Sequence, residues 1–116
     1  MTTRDVEFTV SGVGGAEEEL VGAVQRGVLE NIAGLIDCRR RAGRRESPAG
    51  VLVVTADVRN RDFTAATSDS STVADVRAPI CVAAALRRMH LPDGNRRGRV
   101  QLHITFRASS DGPPPH

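Results

Sequence analysis

Two cysteines occupy matching places in two separate helical patterns, and a hairpin pattern lies between them. Cys38 closes the first helical pattern, and Cys81 lies early in the second one. A strand of alternating apolar and polar residues, 100–106, follows the second cysteine. The order therefore reads helix, strand, strand, helix, strand, which is typical of a small α+β domain.

Composition limits the classes of partner. A chain of 116 residues is long enough for one domain, which buries roughly 65% of its unfolded surface. Every basic residue is Arg, and 16 of them nearly balance 14 carboxylates, for a net charge of +2. Nucleic acid is therefore not an expected partner, because this charge gives little attraction to phosphates. The absence of Trp and Tyr also leaves few side chains on which bases could stack.

The sequence contains no stretch of the roughly 18 apolar residues that a membrane span requires, so direct membrane insertion is not expected. The N-terminal residues also lack the apolar segment of a signal peptide. If Met1 is the native start, we expect a cytoplasmic protein. If the chain is a domain of a longer exported protein, we expect the periplasm or cell envelope.

Alternation and helical spacing define the first half of the chain. Residues 5–10 alternate as a half-buried strand, and the glycine-rich segment 11–15 interrupts them. Apolar residues then recur every three or four positions from Leu20 to Ile36, which predicts one amphipathic helix ending at the arginines 39–41.

The second half of the chain predicts a hairpin, a helix and a strand. Residues 51–58 read as a buried strand, with a turn at 59–62 and a shorter, more polar strand at 63–67. The cluster 68–72 offers an N-cap for the second helix, which has Pro79 in or just after its first turns.

These patterns predict an α+β fold. We expect a small antiparallel sheet of about three strands, with residues 5–10 as a candidate fourth strand and two helices packed on one face. The predicted organisation is an N-terminal strand and glycine-rich connector at 1–15, a domain at 16–107, and a disordered proline-rich tail at 108–116.

The order and spacing of short segments carry a resemblance. The segments are 36–38, 50–53, 70–71, 80–82 and 91–92, followed by the closing strand. Over roughly 20–107 the chain resembles the two-cysteine variety of TonB/TolA C-terminal-like domains found in AgmX-type gliding-motility and envelope proteins. It departs from that pattern at Arg39 and Leu91, where members usually carry an aromatic residue, and at Asn60, where they usually carry glycine.

The resemblance implies a non-enzymatic protein-binding module of an envelope or motility assembly. Such a domain would bind a protein partner by adding the partner's strand to a sheet edge. We expect the last strand to form that edge, or to pair in a homodimer. The candidate edge residues are Val100, Gln101, His103 and Thr105.

The cysteines have two interpretations. The resemblance implies a disulfide between Cys38 and Cys81, which would stabilise the fold by roughly 4 kcal/mol on the chain-entropy model. The alternative is a pair of buried reduced thiols, which is the default in a cytoplasmic protein. With His90 or His103 the cysteines show no recognised zinc spacing, so we expect no metal site and no cofactor.

The strongest electrostatic feature is a basic cluster that consists of Arg39, Arg40, Arg41, Arg44 and Arg45. It supports an alternative function, a small cytoplasmic regulator that binds nucleic acid or an acidic partner. Such a run is more often the solvated end of a helix, with nearby carboxylates in compensation.

Catalysis is not expected. The loop 11–15 lacks the full glycine fingerprint and the lysine of a phosphate-binding loop. The cluster 68–72 shows no nucleophile elbow, although His90 and His103 occur elsewhere in the chain. We therefore expect no catalytic residues.

Overall fold

The fold is α+β, as predicted. A computed structural model describes residues 5–44, 47–92 and 96–108. In these ranges the chain forms four strands and three helices, in the order β1 (Val6–Val13), α1 (Glu18–Glu30), α2 (Ile32–Ala42), β2 (Gly50–Asn60), β3 (Asp62–Ser71), α3 (Ala78–Arg88) and β4 (Arg96–Phe106).

The four strands form one antiparallel sheet in the order β1-β4-β2-β3. The candidate fourth strand is confirmed, and it extends to Val13 and pairs with β4 along its whole length. On its other side β4 pairs with β2 along eleven residues, from Gly50↔Phe106 to Asn60↔Arg96. β4 is therefore a central strand, and β1 and β3 are the two edges.

Alternate residues of the strands build the core on one face of the sheet. Val100, Leu102 and Ile104 of β4 are fully buried there, and the side chains between them point to the opposite, open face. All three helices contribute buried residues to the same core cluster, among them Val24, Leu35 and Leu86. This core explains why period-2 patterns located β1 and β4, although such patterns do not specify the order of the strands.

The predicted first helix is in fact two helices, separated at Asn31. This residue leaves helical geometry at φ −114° and ψ 24°, and its side-chain Nδ2 donates a hydrogen bond of 2.8 Å to the carbonyl of Gly27. Asparagine side chains compete with the backbone for helical acceptors, which favours an end at this position. The break lets α2 turn toward α3 independently of α1.

The predicted N-cap at 68–72 is wrong, because 68–71 belong to β3. Thr72 continues the pairing, since its N–H donates to the carbonyl of Val51 at 2.9 Å and its hydroxyl accepts from the N–H of Val51 at 2.8 Å. The helix begins later, at Ala78, with Pro79 in its first turn. Serine and threonine suit strand edges as well as helix caps, so composition did not decide between the two.

The hairpin turn agrees with its sequence. Asn60 adopts a positive φ of 59°, which asparagine tolerates better than most residues. Of the tail predicted at 108–116, all residues but Ala108 lie outside the described ranges. None of the helices in the described ranges is long and apolar enough to cross a membrane.

Candidate functional site

Cys38 of α2 and Cys81 of α3 form a disulfide, with their Cα atoms 5.7 Å apart. The interpretation as a disulfide is therefore confirmed over the interpretation as free thiols. Cys38 is 1% exposed, whereas Cys81 is only partly buried. The bond joins two helices that pack on the same face of the sheet, and it spans 43 positions of the sequence.

A cavity of about 280 Å³ opens beside the disulfide, and its walls come from both helices. Its lining consists of Cys38, Arg41, Ala42, Arg44, Arg77, Ala78 and Cys81. The cavity is thus lined by three arginines together with two alanines and the two bonded cysteines. Arg77 was not among the candidate residues predicted from the sequence. Its position four residues before Cys81 was the one feature of the sequence that could have indicated its place beside the disulfide.

Two of the three cavity arginines have carboxylate partners. Arg41 Nε lies 3.0 Å from Asp37 Oδ2, and both side chains are well exposed. Arg77 binds Asp75 through two hydrogen bonds of 3.1 and 2.9 Å, and these bonds, together with the negative charge of Asp75, raise the pKa of Arg77. Arg44 forms no ion pair with any described residue.

The predicted basic cluster is not a single surface. Arg39 points away from the cavity and donates a hydrogen bond from Nε to the carbonyl of Arg107 at 3.0 Å. Its side chain is 11% exposed, and Nη1 lies 3.7 Å from Asp5. Arg40 is exposed, and Arg45 lies outside the described residues. Arg39 is therefore a structural residue, and among the described members of the cluster only Arg41 and Arg44 line the cavity.

The prediction that the last strand is a free edge is wrong, because β4 has a partner on each side. Val100 is buried in the core. Gln101, His103 and Thr105 lie on the open face in the middle of the sheet, where His103 Nε2 is 3.2 Å from Gln101 Oε1. Alternation identified this strand correctly, but it contains no information about which strands lie beside it.

The edge strand β3 presents outward backbone groups. The carbonyl of Val51 accepts a bond from the β3 side, and β2 pairs with β4 without a register shift. Because backbone directions alternate, Thr55 and Asp57 also turn toward β3. The residues opposite them in β3, Thr67 and Ala65, therefore direct their backbone N–H and C=O groups toward β2. The alternate residues, Ala66 and Ser68, direct theirs away from the sheet. No strand of the described residues pairs with them there.

The histidines and the serine cluster do not form a catalytic arrangement. His90 Nδ1 lies 2.8 Å from Asp62 Oδ1, and this pair is at the start of β3, whereas the serines lie at its end. His103 and Ser70 are on strands that β2 separates. Within the described part of the chain, no group of three or more His, Cys, Asp or Glu side chains could hold a metal ion.

Comparisons with family models, with curated proteins and with solved structures found no match for this chain.

Proposed function

We propose that this protein is a non-enzymatic interaction module that binds a segment of a partner protein by strand addition at the outer edge of β3. The observation that carries the proposal is the outward backbone of Ala66 and Ser68 on an edge strand whose side chains are mostly exposed. Strand addition needs such unpaired N–H and C=O groups, which supply its affinity.

The bulges of β3 define where a partner would bind. Register shifts occur between Val53 and Val54 and between Asp57 and Val58, so the regular part of β3 is 65–68. Bulges twist and interrupt an edge and thereby discourage indiscriminate pairing. Between them, a short regular stretch would accept a short partner strand. His90 already pairs with Asp62 at the start of β3, which limits the free edge at that end.

Two features support an envelope or motility assembly as the setting. The first is the resemblance of the sequence to TonB/TolA C-terminal-like domains, whose order of helix, strand, strand, helix and strand would correspond to the elements from α1 to β4 if α1 and α2 are counted as one helix. Disulfides persist mainly in oxidising compartments such as the periplasm. Homodimer formation through two β3 edges is a second form of the same interaction.

A proline substitution tests this function. Ala66→Pro removes one outward N–H group without removing an N–H that bonds to β2. Ala66→Ser is the matched control, since it keeps that group. Partners captured from the native cells with wild-type protein should be captured by the Ala66→Ser variant and lost with Ala66→Pro, while circular dichroism of both variants stays unchanged. Equal capture by a folded Ala66→Pro variant would overturn strand addition at β3.

The alternative function, a cytoplasmic regulator that binds nucleic acid through the basic cluster, remains a prediction. The structure gives this alternative less support, because the basic cluster does not form one surface. Arg39 is hydrogen-bonded to the carbonyl of Arg107 and lies beside Asp5. Phosphate contacts would make binding fall steeply between roughly 50 and 200 mM salt. Strand addition would be nearly insensitive to salt over the same range.

A further inference from the structure

We propose that the cavity between α2 and α3 is a second binding site, which takes the carboxylate side chains of an acidic peptide segment of a partner protein. This site lies on the helical layer, apart from the β3 edge, and does not depend on strand addition. We further infer that the disulfide holds the site in its binding form.

The charge of the cavity suits a carboxylate. Three arginines line it, and the described residues supply ion-pair partners to two of them, Arg41 and Arg77. Arg44 has no ion-pair partner among the described residues, so its guanidinium group would bind a ligand carboxylate. Guanidinium groups bind carboxylates through paired, charge-assisted hydrogen bonds. The Arg41 pair is also exposed, so exchanging Asp37 for a ligand carboxylate would cost little.

The exposed residues that flank Arg77 along the chain suit a peptide better than a phosphate chain. Val76 is 81% exposed and Ile80 is 70% exposed, and both lie within three residues of Arg77. Exposed aliphatic side chains this close in sequence to a cavity arginine favour a ligand that carries apolar as well as acidic groups. Nucleic acid has no aliphatic side chains to cover them, and its bases stack on aromatic rings, which this surface lacks among its described residues.

The disulfide determines the width of the cavity, because its two cysteines stand in opposite walls. Arg41 lies in α2 and Arg44 shortly after it, whereas Arg77 is the residue directly before α3. Reduction would release the cross-link between these walls, and the arginines would no longer be held at a common distance. Binding of the acidic segment should therefore depend on the oxidised state.

The probe for this site is a fluorescein-labelled ten-residue peptide of alternating Glu and Leu, titrated with oxidised protein and followed by fluorescence anisotropy. A peptide of alternating Gln and Leu is the control for charge. We expect binding of the Glu peptide at least about tenfold tighter than that of the Gln peptide, since charge-assisted hydrogen bonds are the stronger kind. Equal affinities would overturn the proposal.

Three variants locate the binding. Arg44→Glu should weaken binding of the Glu peptide by about tenfold or more, and Ile80→Ser should weaken it by about fivefold. Arg87→Glu, an exposed position at the other end of α3, is the matched control and should bind as wild type does. If Arg87→Glu weakens binding as much as Arg44→Glu, net charge explains the result and the cavity is not the site.

Two further measurements distinguish the cavity from the β3 edge and from a phosphate site. Ala66→Pro should bind the probe as wild type does, so loss of binding in that folded variant would assign the probe to the β3 edge instead. Oligothymidine of equal charge should not displace the probe, and displacement at equal concentration would identify a phosphate site.

Reduction tests the role of the disulfide in the same assay. It should weaken binding of the Glu peptide by about tenfold, because the two walls are no longer cross-linked, while circular dichroism stays unchanged. Unchanged affinity of the reduced protein would refute the role of the disulfide.

Discussion

The guanidinium group of Arg39 on α2 donates a hydrogen bond to the backbone carbonyl of Arg107, the residue that follows β4. The same side chain lies beside Asp5, the residue that precedes β1. One arginine therefore ties α2 to the end of β4 and to the start of β1.

Substitution of Arg39 should lower stability. Arg39→Ala removes a largely buried charged donor, and hydrogen bonds to charged groups contribute about 1.5–3 kcal/mol. We expect the free energy of unfolding in urea to fall by that amount. Arg40→Ala, at the exposed neighbouring position, should change it by less than about 0.5 kcal/mol. Equal effects of the two substitutions would contradict the role assigned to Arg39.

The disulfide should supply a large part of the stability. Removing it by Cys38→Ala together with Cys81→Ala should lower the free energy of unfolding by about 4 kcal/mol on the chain-entropy model. Urea denaturation of the oxidised protein, the reduced protein and this double variant measures the effect. A reduced protein as stable as the oxidised one would show that helix packing alone holds α2 against α3.

Two glycines should respond oppositely to alanine. A Cβ at Gly50, where φ is +154°, would lie 2.8 Å from the backbone N of Val73, so Gly50→Ala should destabilise the fold by about 1–3 kcal/mol. At Gly22, inside α1, a Cβ would meet only the end of the Arg26 side chain at 3.5 Å. Gly22→Ala should stabilise by about 0.5–1 kcal/mol. Thermal unfolding of both variants tests these signs.

The N-terminal strand should be an integral part of the fold. Phe8 is 2% exposed and belongs to the core, so Phe8→Ala should destabilise by about 3–5 kcal/mol. Thr9→Ala on the exposed side of the same strand is the matched control and should have little effect. Urea denaturation of both variants measures the difference. A small loss with Phe8→Ala would indicate that β1 is a dispensable addition to the sheet.

Local patterns identified four strands, though not the end of β3 at 68–71, and they identified the hairpin turn at Asn60 and the fold class, because each depends on neighbours in sequence. The position of β4 between β1 and β2 was not predictable in this way, since Val100 and Ile104 would be equally apolar in an edge strand with one covered face. The break at Asn31 was missed because the apolar spacing continues across it.

The candidate site was predictable only in part. The sequence offered Cys38 and Cys81 as a pair, but the choice between thiols and a disulfide depends on the distance between two helices. The separation of Arg39 from Arg44 likewise depends on the direction of α2 over the sheet. The role of Ala66 needed the pairing order, because an alanine in a polar strand shows no functional pattern of its own.

The most direct test of strand addition is site-specific photo-crosslinking in the native cells, with a photoreactive phenylalanine analogue at Thr67 on β3 and, in a separate variant, at Gln101 in the middle of the open face. The edge account predicts one discrete protein adduct from position 67, none from position 101, and loss of the adduct when Ala66→Pro is added. An adduct from position 101 alone, or an adduct from position 67 that survives Ala66→Pro, would contradict it.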